Sequence, residues 1–260
     1  MDLDDTLIEE EAFARAQLRG TAALVDGVAA EGWDEVVIEA ARARWYAGPF
    51  YPACAELGIA SWEGLWATFA GAHPRLDGMA AWAPAYRHEA WRAALRAAGR
   101  EDGPRLDADA RALSASYVAR QRAGHPVLPG AVDLVRRLSA SVPVAVVTNG
   151  PPDIQRLKIE QSGVAPLLSA VVISGALGVG KPHPDIFRTA LEQLGVPAER
   201  AVMVGDNWER DVGGALAVGM RAVWISHGRP PPAAGPSGAG AGADGHRVTV
   251  AGGPSEVTLA

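Results

Sequence analysis

Apolar positions recur at helical spacing through the first half of the chain and in short β-branched runs through the second, with the change near residue 126. Amphipathic runs at 9–30, 34–47, 60–70, 84–98 and 107–123 predict helices. Breakers at Gly48-Pro49, Gly71 to Pro74 and Gly103-Pro104 separate them. Helices of that length on short connections predict a bundle. Trp62 and Trp66 are four apart and would share a helix face, as would Trp82 and Tyr86. Six of the eight tryptophans fall in this half, which predicts an aromatic bundle core.

Beyond 126 the pattern alternates. Helices are predicted at 131–140, 153–162, 184–194 and 209–218, the last three closing on Gly163, Gly195 and Gly219. Between them lie strands at 143–147, 170–173, 201–204 and 221–225, of which 143–147 is apolar throughout and hence buried. Alternation of this kind predicts an α/β fold, a parallel sheet covered by helices on both faces. The Pro/Gly/Ala-rich stretch 229–245 predicts a loop, and His246 to Val250 a last edge strand.

Composition narrows the partners. A net charge of -6 and a pI near 5.5 argue against nucleic acid or an anionic membrane as the main partner. With no apolar run long enough to span a bilayer and no leader pattern, the chain reads as cytoplasmic, a monomer or homodimer. The single cysteine, Cys54, excludes an internal disulfide and a cysteine-based metal cluster, and reads as a buried thiol. Of 24 basic residues only Lys158 and Lys181 are lysine.

Ligands in such sheets sit beyond the carboxyl ends of the strands, so candidate chemistry is expected there. The chain opens Met1-Asp2-Leu3-Asp4-Asp5-Thr6-Leu7, three carboxylates in four positions. Carboxylates that close raise one another's pKa, so their retention suits either a divalent cation or simply a solvated acidic terminus. Strand 143–147 runs into Thr148-Asn149-Gly150, which is also the composition of a plain turn. Strand 201–204 runs into Gly205-Asp206, with Asp211 five residues on, where one Asp would suffice as a helix cap. Lys181 lies in the loop Gly178 to Pro184, in a composition that otherwise favours arginine, which suggests a need for a compact ammonium. Asp2, Asp4, Thr148, Lys181, Asp206 and Asp211 together supply what phosphoryl transfer needs: carboxylates for a cation, and a hydroxyl and an ammonium for the phosphoryl oxygens.

With these motifs in this order, the chain resembles the haloacid dehalogenase superfamily: Asp2-Leu3-Asp4-Asp5-Thr6, Thr148, Lys181-Pro182, and Gly205-Asp206 with Asp211. The resemblance implies a Rossmann-like core, a mobile cap and Mg²⁺-dependent hydrolysis of a small phosphorylated substrate through an aspartyl-phosphate. By position, Asp2 would be the nucleophile and Asp4 the general acid and then base. Asp2, the backbone carbonyl of Asp4, and Asp206 would hold the metal, supported by Asp211. Thr148 and Asn149 would bind phosphoryl oxygens, with Lys181 neutralising their charge. In this family the cap lies where the spacing is long, and 146 positions separate Asp2 from Thr148 against 33 from Thr148 to Lys181. The resemblance therefore divides the chain into a core, 1–7 and 126–260, and a helical cap, 8–125.

Asp4 disfavours a haloacid dehalogenase, which lacks that aspartate, and the phosphate-transferring ATPases, which tend to carry threonine there. A phosphomutase keeps it. The Thr-Asn-Gly and Gly-Val-Gly-Lys-Pro phrasing is similar to the branch of acylneuraminate-type sugar-phosphate phosphatases and pyrimidine nucleotidases. Members enter the first motif from a buried apolar strand, whereas this chain reads from one residue before Asp2. The expectation is a missing central strand, a protonated α-amino group beside Asp2, and a start that lies upstream. A truncated, non-catalytic binding protein is the alternative. His183 and His227 are expected near the site as supporting or exposed groups, and Glu9, Glu10 and Arg15 where a closing cap would meet substrate.

Overall fold

The computed structural model describes residues 1–232 and 247–258. Helices α1 (Glu11–Thr21), α2 (Trp33–Tyr46), α3 (Tyr51–Leu57), α4 (Ser61–Gly64), α5 (Met79–Ala97) and α6 (Pro104–Arg122) form the cap. Its interior gathers Leu18, Trp33, Val37, Trp45, Leu65, Trp66, Trp91, Leu113 and Tyr117. Trp82 and Tyr86 stack at 5.0 Å, as their spacing requires.

Several helix bounds depart from the sequence reading. The first helix ends at Thr21, followed by a 3₁₀ turn at Ala22–Leu24, rather than reaching residue 30. The run at 60–70 is helical only over Ser61–Gly64, and Phe69 has a φ of 60°, so Trp62 and Trp66 do not share a helix face. Helix α3 went unpredicted because its seven residues sit directly after the Gly48-Pro49 breaker. Helix α5 begins at Met79 and carries Pro84 within it.

The second half builds helices α7 (Ala131–Ser139), α8 (Pro152–Gln161), α9 (Ser174–Leu177), α10 (Pro184–Leu194) and α11 (Gly214–Ala217). They alternate with β1 (Ala145–Thr148), β2 (Ala170–Ile173), β3 (Val202–Gly205) and β4 (Arg221–Ile225). β5 (Val248–Ala251) pairs parallel to β4 at the sheet edge; the predicted start at His246 and most of the 229–245 loop lie outside the described residues. The span read as a helix from 209 opens instead with a π-helical turn at Trp208–Gly213.

Strand alternation sorts the core into two layers. Val146, Val204 and Val223 face one cluster with Leu134 and Ile159. Val147, Met203, Ala222 and Trp224 face the other with Ile186, Phe187 and Leu216. β1 pairs parallel to β2, and β3 to β4. Met1 and Asp2 join the two ladders: Val147 N–H donates to Met1 O at 2.8 Å and Asp2 N–H to Val204 O at 2.8 Å. Below Met1 the ladders part around a cleft of about 440 Å³ lined by apolar side chains including Val144, Val202, Phe187 and Leu191.

Cap and core meet where the chain crosses between them. Glu9 N–H donates to Pro126 O at 2.8 Å and Leu128 N–H to Leu7 O at 2.9 Å, and Ile8 bridges Val127 antiparallel. Outgoing and returning segments are thereby stitched side by side.

Trp91 is fully buried in the cap interior. Trp91→Ala is expected to lower unfolding free energy by about 3–5 kcal/mol through lost transfer energy and the cavity left behind, measured by urea denaturation.

Candidate active site

The charged groups collect beyond the carboxyl ends of the central strands. Asp2 closes the stub that joins β1 and β3, Thr148 ends β1, and Asp206 follows Gly205 at the end of β3. Asp211 returns from the π-helical turn, in which Asp211 N–H and Val212 N–H both donate to Asn207 O, at 2.9 and 3.3 Å. Its carboxylate packs against Gly205, where any Cβ would run into it, and its Oδ2 accepts from Asn207 N–H at 3.0 Å.

Lys181 is buried between two of these carboxylates, its Nζ 2.5 Å from Asp2 Oδ1 and 2.7 Å from Asp211 Oδ1. The Asn149 side chain holds Lys181 in place by two bonds, accepting from Lys181 N–H at 2.8 Å and donating to Lys181 O at 3.0 Å. Asn149 thus ties its amide to the lysine loop while lining the cavity next to Thr148. Burial pulls the Lys181 pKa down, but Asp2 and Asp211 more than offset it and the net direction is up.

Asp2, Asp206 and Asp211 each place an oxygen within 4.8 Å of the others. Burial first, then the charge of Asp211, push Asp2 well above the usual carboxylate range despite Lys181. Burial, followed by Asp211 and Asp5, pushes Asp206 up to about 7. Asp211 Oδ1 is buried with no hydrogen-bond partner of good geometry, although Lys181 lies beside it. Crowded oxygen donors under mutual repulsion fit a hard divalent cation.

Asp4 stands apart from that cluster. Lys158 Nζ lies 3.0 Å from its Oδ1, and Gln155 Nε2 donates to its Oδ2 at 2.8 Å. Gln155 Nε2 also reaches Thr148 Oγ1 at 2.6 Å. Neither Gln155 nor Lys158 was named from sequence as a site residue, because both fall inside an ordinary-looking helix. The scarcity of lysine that singled out Lys181 applies equally to Lys158. Lys158 is also 2.7 Å from Glu10 Oε2. Burial first, offset in part by Lys158, raises Glu10 to about 7.

Asp2, Asp4, Thr148, Lys181 and Asp206 floor a cavity of about 570 Å³ whose cap-side wall includes Arg42, Tyr46, Tyr51, Trp62 and Glu63. Glu63 is buried, and its Oε2 accepts from Ala60 N–H at 2.7 Å. Of the other residues expected here, Glu10 lines the cavity, whereas Arg15 is tied into the cap by Glu11, Asp34 and Glu35. His183 is exposed and accepts from Asp185 N–H at the start of α10, and His227 Nε2 lies 2.6 Å from Asp5 O. The Met1 amino group donates to Ala145 O at 2.6 Å. Burial, then the charge of Lys181, push its pKa down to about 5. Cys54 is buried, and burial pushes its thiol up to about 12.

The model of the haloacid dehalogenase-like hydrolases matches residues 1–219. The chain belongs to the haloacid dehalogenase-like hydrolase family. Within that family it is 40% identical to a phosphoserine phosphatase of Thermus thermophilus over 232 residues, 89% of each chain. It is 37% identical to the pyrimidine 5'-nucleotidase YjjG of Escherichia coli over 100 residues, 38% of this chain and 44% of that one. A solved 2-haloacid dehalogenase from Pseudomonas syringae superposes with a TM-score of 0.55 at 24% identity, covering 98% of this chain and 93% of that one, a likeness of fold.

Glu63 gives a test of the site's electrostatics. Burial chiefly raises its pKa from 4.5 to about 8, so the folded state holds this proton more tightly than the unfolded chain. Its contribution is full below pH 4.5 and lost as pH rises through about 8. The stability of the wild type relative to Glu63→Gln should therefore fall steadily across that window, as read by urea titrations at a series of pH values.

Proposed function

We propose that this hydrolase is a cytoplasmic, Mg²⁺-dependent phosphatase that hydrolyses a small phosphorylated metabolite through an aspartyl-phosphate on Asp2. The observation that carries the reading is the placement of Asp2 and Asp4 on one cavity floor with different partners, Asp2 against Lys181 and Asp4 against Lys158 and Gln155. Two carboxylates two residues apart, held separately, suit a nucleophile and a proton carrier. In this reading residues 8–125 act as the cap over a core of 1–7 and 126–260.

Asp2 attacks phosphorus while Asp4 protonates the departing oxygen; Asp4 then takes a proton from the water that cleaves the acyl phosphate. Thr148 Oγ and Lys181 hold the phosphoryl oxygens. Asp2 and Asp206 with the Asp4 carbonyl, supported by Asp211, would hold Mg²⁺, which when bound supplies positive charge against the carboxylates and the phosphoryl group. For the substrate, the extended identity to a phosphoserine phosphatase makes an amino-acid phosphate the first choice, ahead of the sugar phosphates and nucleotides suggested by motif phrasing. The cap-side wall suits it, with Arg42 for a carboxylate.

Phosphate release from O-phosphoserine, with sugar phosphates and nucleotides as comparators, should require Mg²⁺, stop with chelator and fall to background in Asp2→Asn. Full activity in chelator, or in Asp2→Asn, would contradict the proposal.

A further inference from the structure

Lys158 extends from the core helix α8, and its side chain is wholly buried. Two carboxylates flank it: Asp4 Oδ1 at 3.0 Å on the floor of the cavity, and Glu10 Oε2 at 2.7 Å from the segment that enters the cap. The segment that leaves the cap contributes His125, whose Nε2 lies 3.4 Å from the same Glu10 oxygen. Trp66, from the cap interior, lies 5.8 Å from the ammonium and stacks on His125 at 5.7 Å. Both crossings between cap and core therefore meet at Glu10, which shares Lys158 with Asp4.

Such a cluster is a poor way to hold two parts of a protein together. Replacing a buried ion pair by apolar side chains is often neutral or stabilising. This one is also incompletely satisfied, since Glu10 Oε1 and both ring nitrogens of His125 are buried with no hydrogen-bond partner among the described residues. Such orphaned groups in a native structure call for an explanation beyond packing.

We propose that Lys158 and Glu10 are positioning residues that make the placement of Asp4 depend on the seating of the cap. The proposal rests on the reading of Asp4 as the acid for the leaving oxygen. With the cap seated, Glu10 shares the ammonium from one side while Lys158 and Gln155, both on α8, hold the two oxygens of Asp4. When the cap turns about residues 8–10 and 123–126, Glu10 moves with it, and the ammonium is left with Asp4 alone. Only the seated arrangement presents the Asp4 carboxyl to the substrate. There, as the P–O bond breaks, the oxygen keeps the bonding electrons and takes the Asp4 proton.

Leaving-group chemistry isolates this role. The nitrophenolate of p-nitrophenyl phosphate departs without a proton, whereas the alkoxide of O-phosphoserine or glycerol 2-phosphate needs one. The variants Lys158→Met and Glu10→Gln, the second isosteric, are compared with wild type on p-nitrophenyl phosphate and on whichever alkyl ester the wild type turns over faster. On the alkyl ester kcat/KM, which covers the steps up to release of the alcohol, should fall by about 100-fold in Lys158→Met, the scale of a general-acid contribution, and by a smaller factor in Glu10→Gln. On p-nitrophenyl phosphate kcat/KM should change little, while kcat, which includes the water step that Asp4 also serves, falls on both esters. Equal losses of kcat/KM on both esters, or an unchanged kcat/KM on the alkyl ester, would overturn the positioning role and leave the phosphatase reading standing. A wild type that hydrolyses neither ester would overturn that reading and this proposal with it.

Discussion

The arrangement at the carboxyl edge of the sheet depends on one ammonium held between carboxylates. Lys181 sits between Asp2 and Asp211, with Asp206 close by, in surroundings that push the pKa of both Asp2 and Asp206 upward. Without that charge, two buried carboxylates and a half-buried one would face one another in a medium that screens them weakly. The neighbouring structure serves the contact. Asn149 clamps the lysine loop, Gly205 leaves room for the Asp211 carboxylate, and the π-helical turn carries that carboxylate back over the end of β3. A divalent cation among the same oxygens would add to this balance.

A second lysine repeats the device on the other side of the cavity. Lys158 lies between Asp4 and Glu10 as Lys181 lies between Asp2 and Asp211. One pair lies within the core, and the other spans the junction of core and cap. The fold thereby separates two carboxylates that the chain places two residues apart. Asp2 belongs to the sheet edge, whereas Asp4 belongs to α8 and, through Lys158, to the crossing segments.

Much of this was legible in the sequence, for physical reasons. Strands at 170–173 and 221–225 and the helix at 184–194 fall where predicted, since β-branched runs and glycine stops are local signals that burial reinforces. The site residues Asp2, Thr148, Lys181 and Asp206 stood out because each lies at a strand end or in a loop, where polar residues are not hidden by periodicity, and Asp211 because it adds a second carboxylate where a helix cap needs one. Gln155 and Lys158 were missed because helical spacing explains polar residues without reference to a ligand, and nothing local says which face of α8 meets Asp4. The overlong helices at 9–30 and 60–70 share a cause. Apolar and small residues continue the helical pattern past positions where Gly27 and Phe69 adopt positive φ, a choice made by tertiary packing. The side-chain role of Asn149 was likewise set by a contact 32 residues away.

The central claim is that Asp2 carries the phosphoryl group during turnover. Borohydride added to enzyme turning over O-phosphoserine reduces an acyl phosphate to the alcohol and so converts the aspartate that bears it to homoserine. Peptide mass spectrometry should find homoserine at residue 2 in the wild type, with none when substrate is omitted. Sustained turnover with unmodified Asp2, or homoserine at another aspartate, would contradict the account.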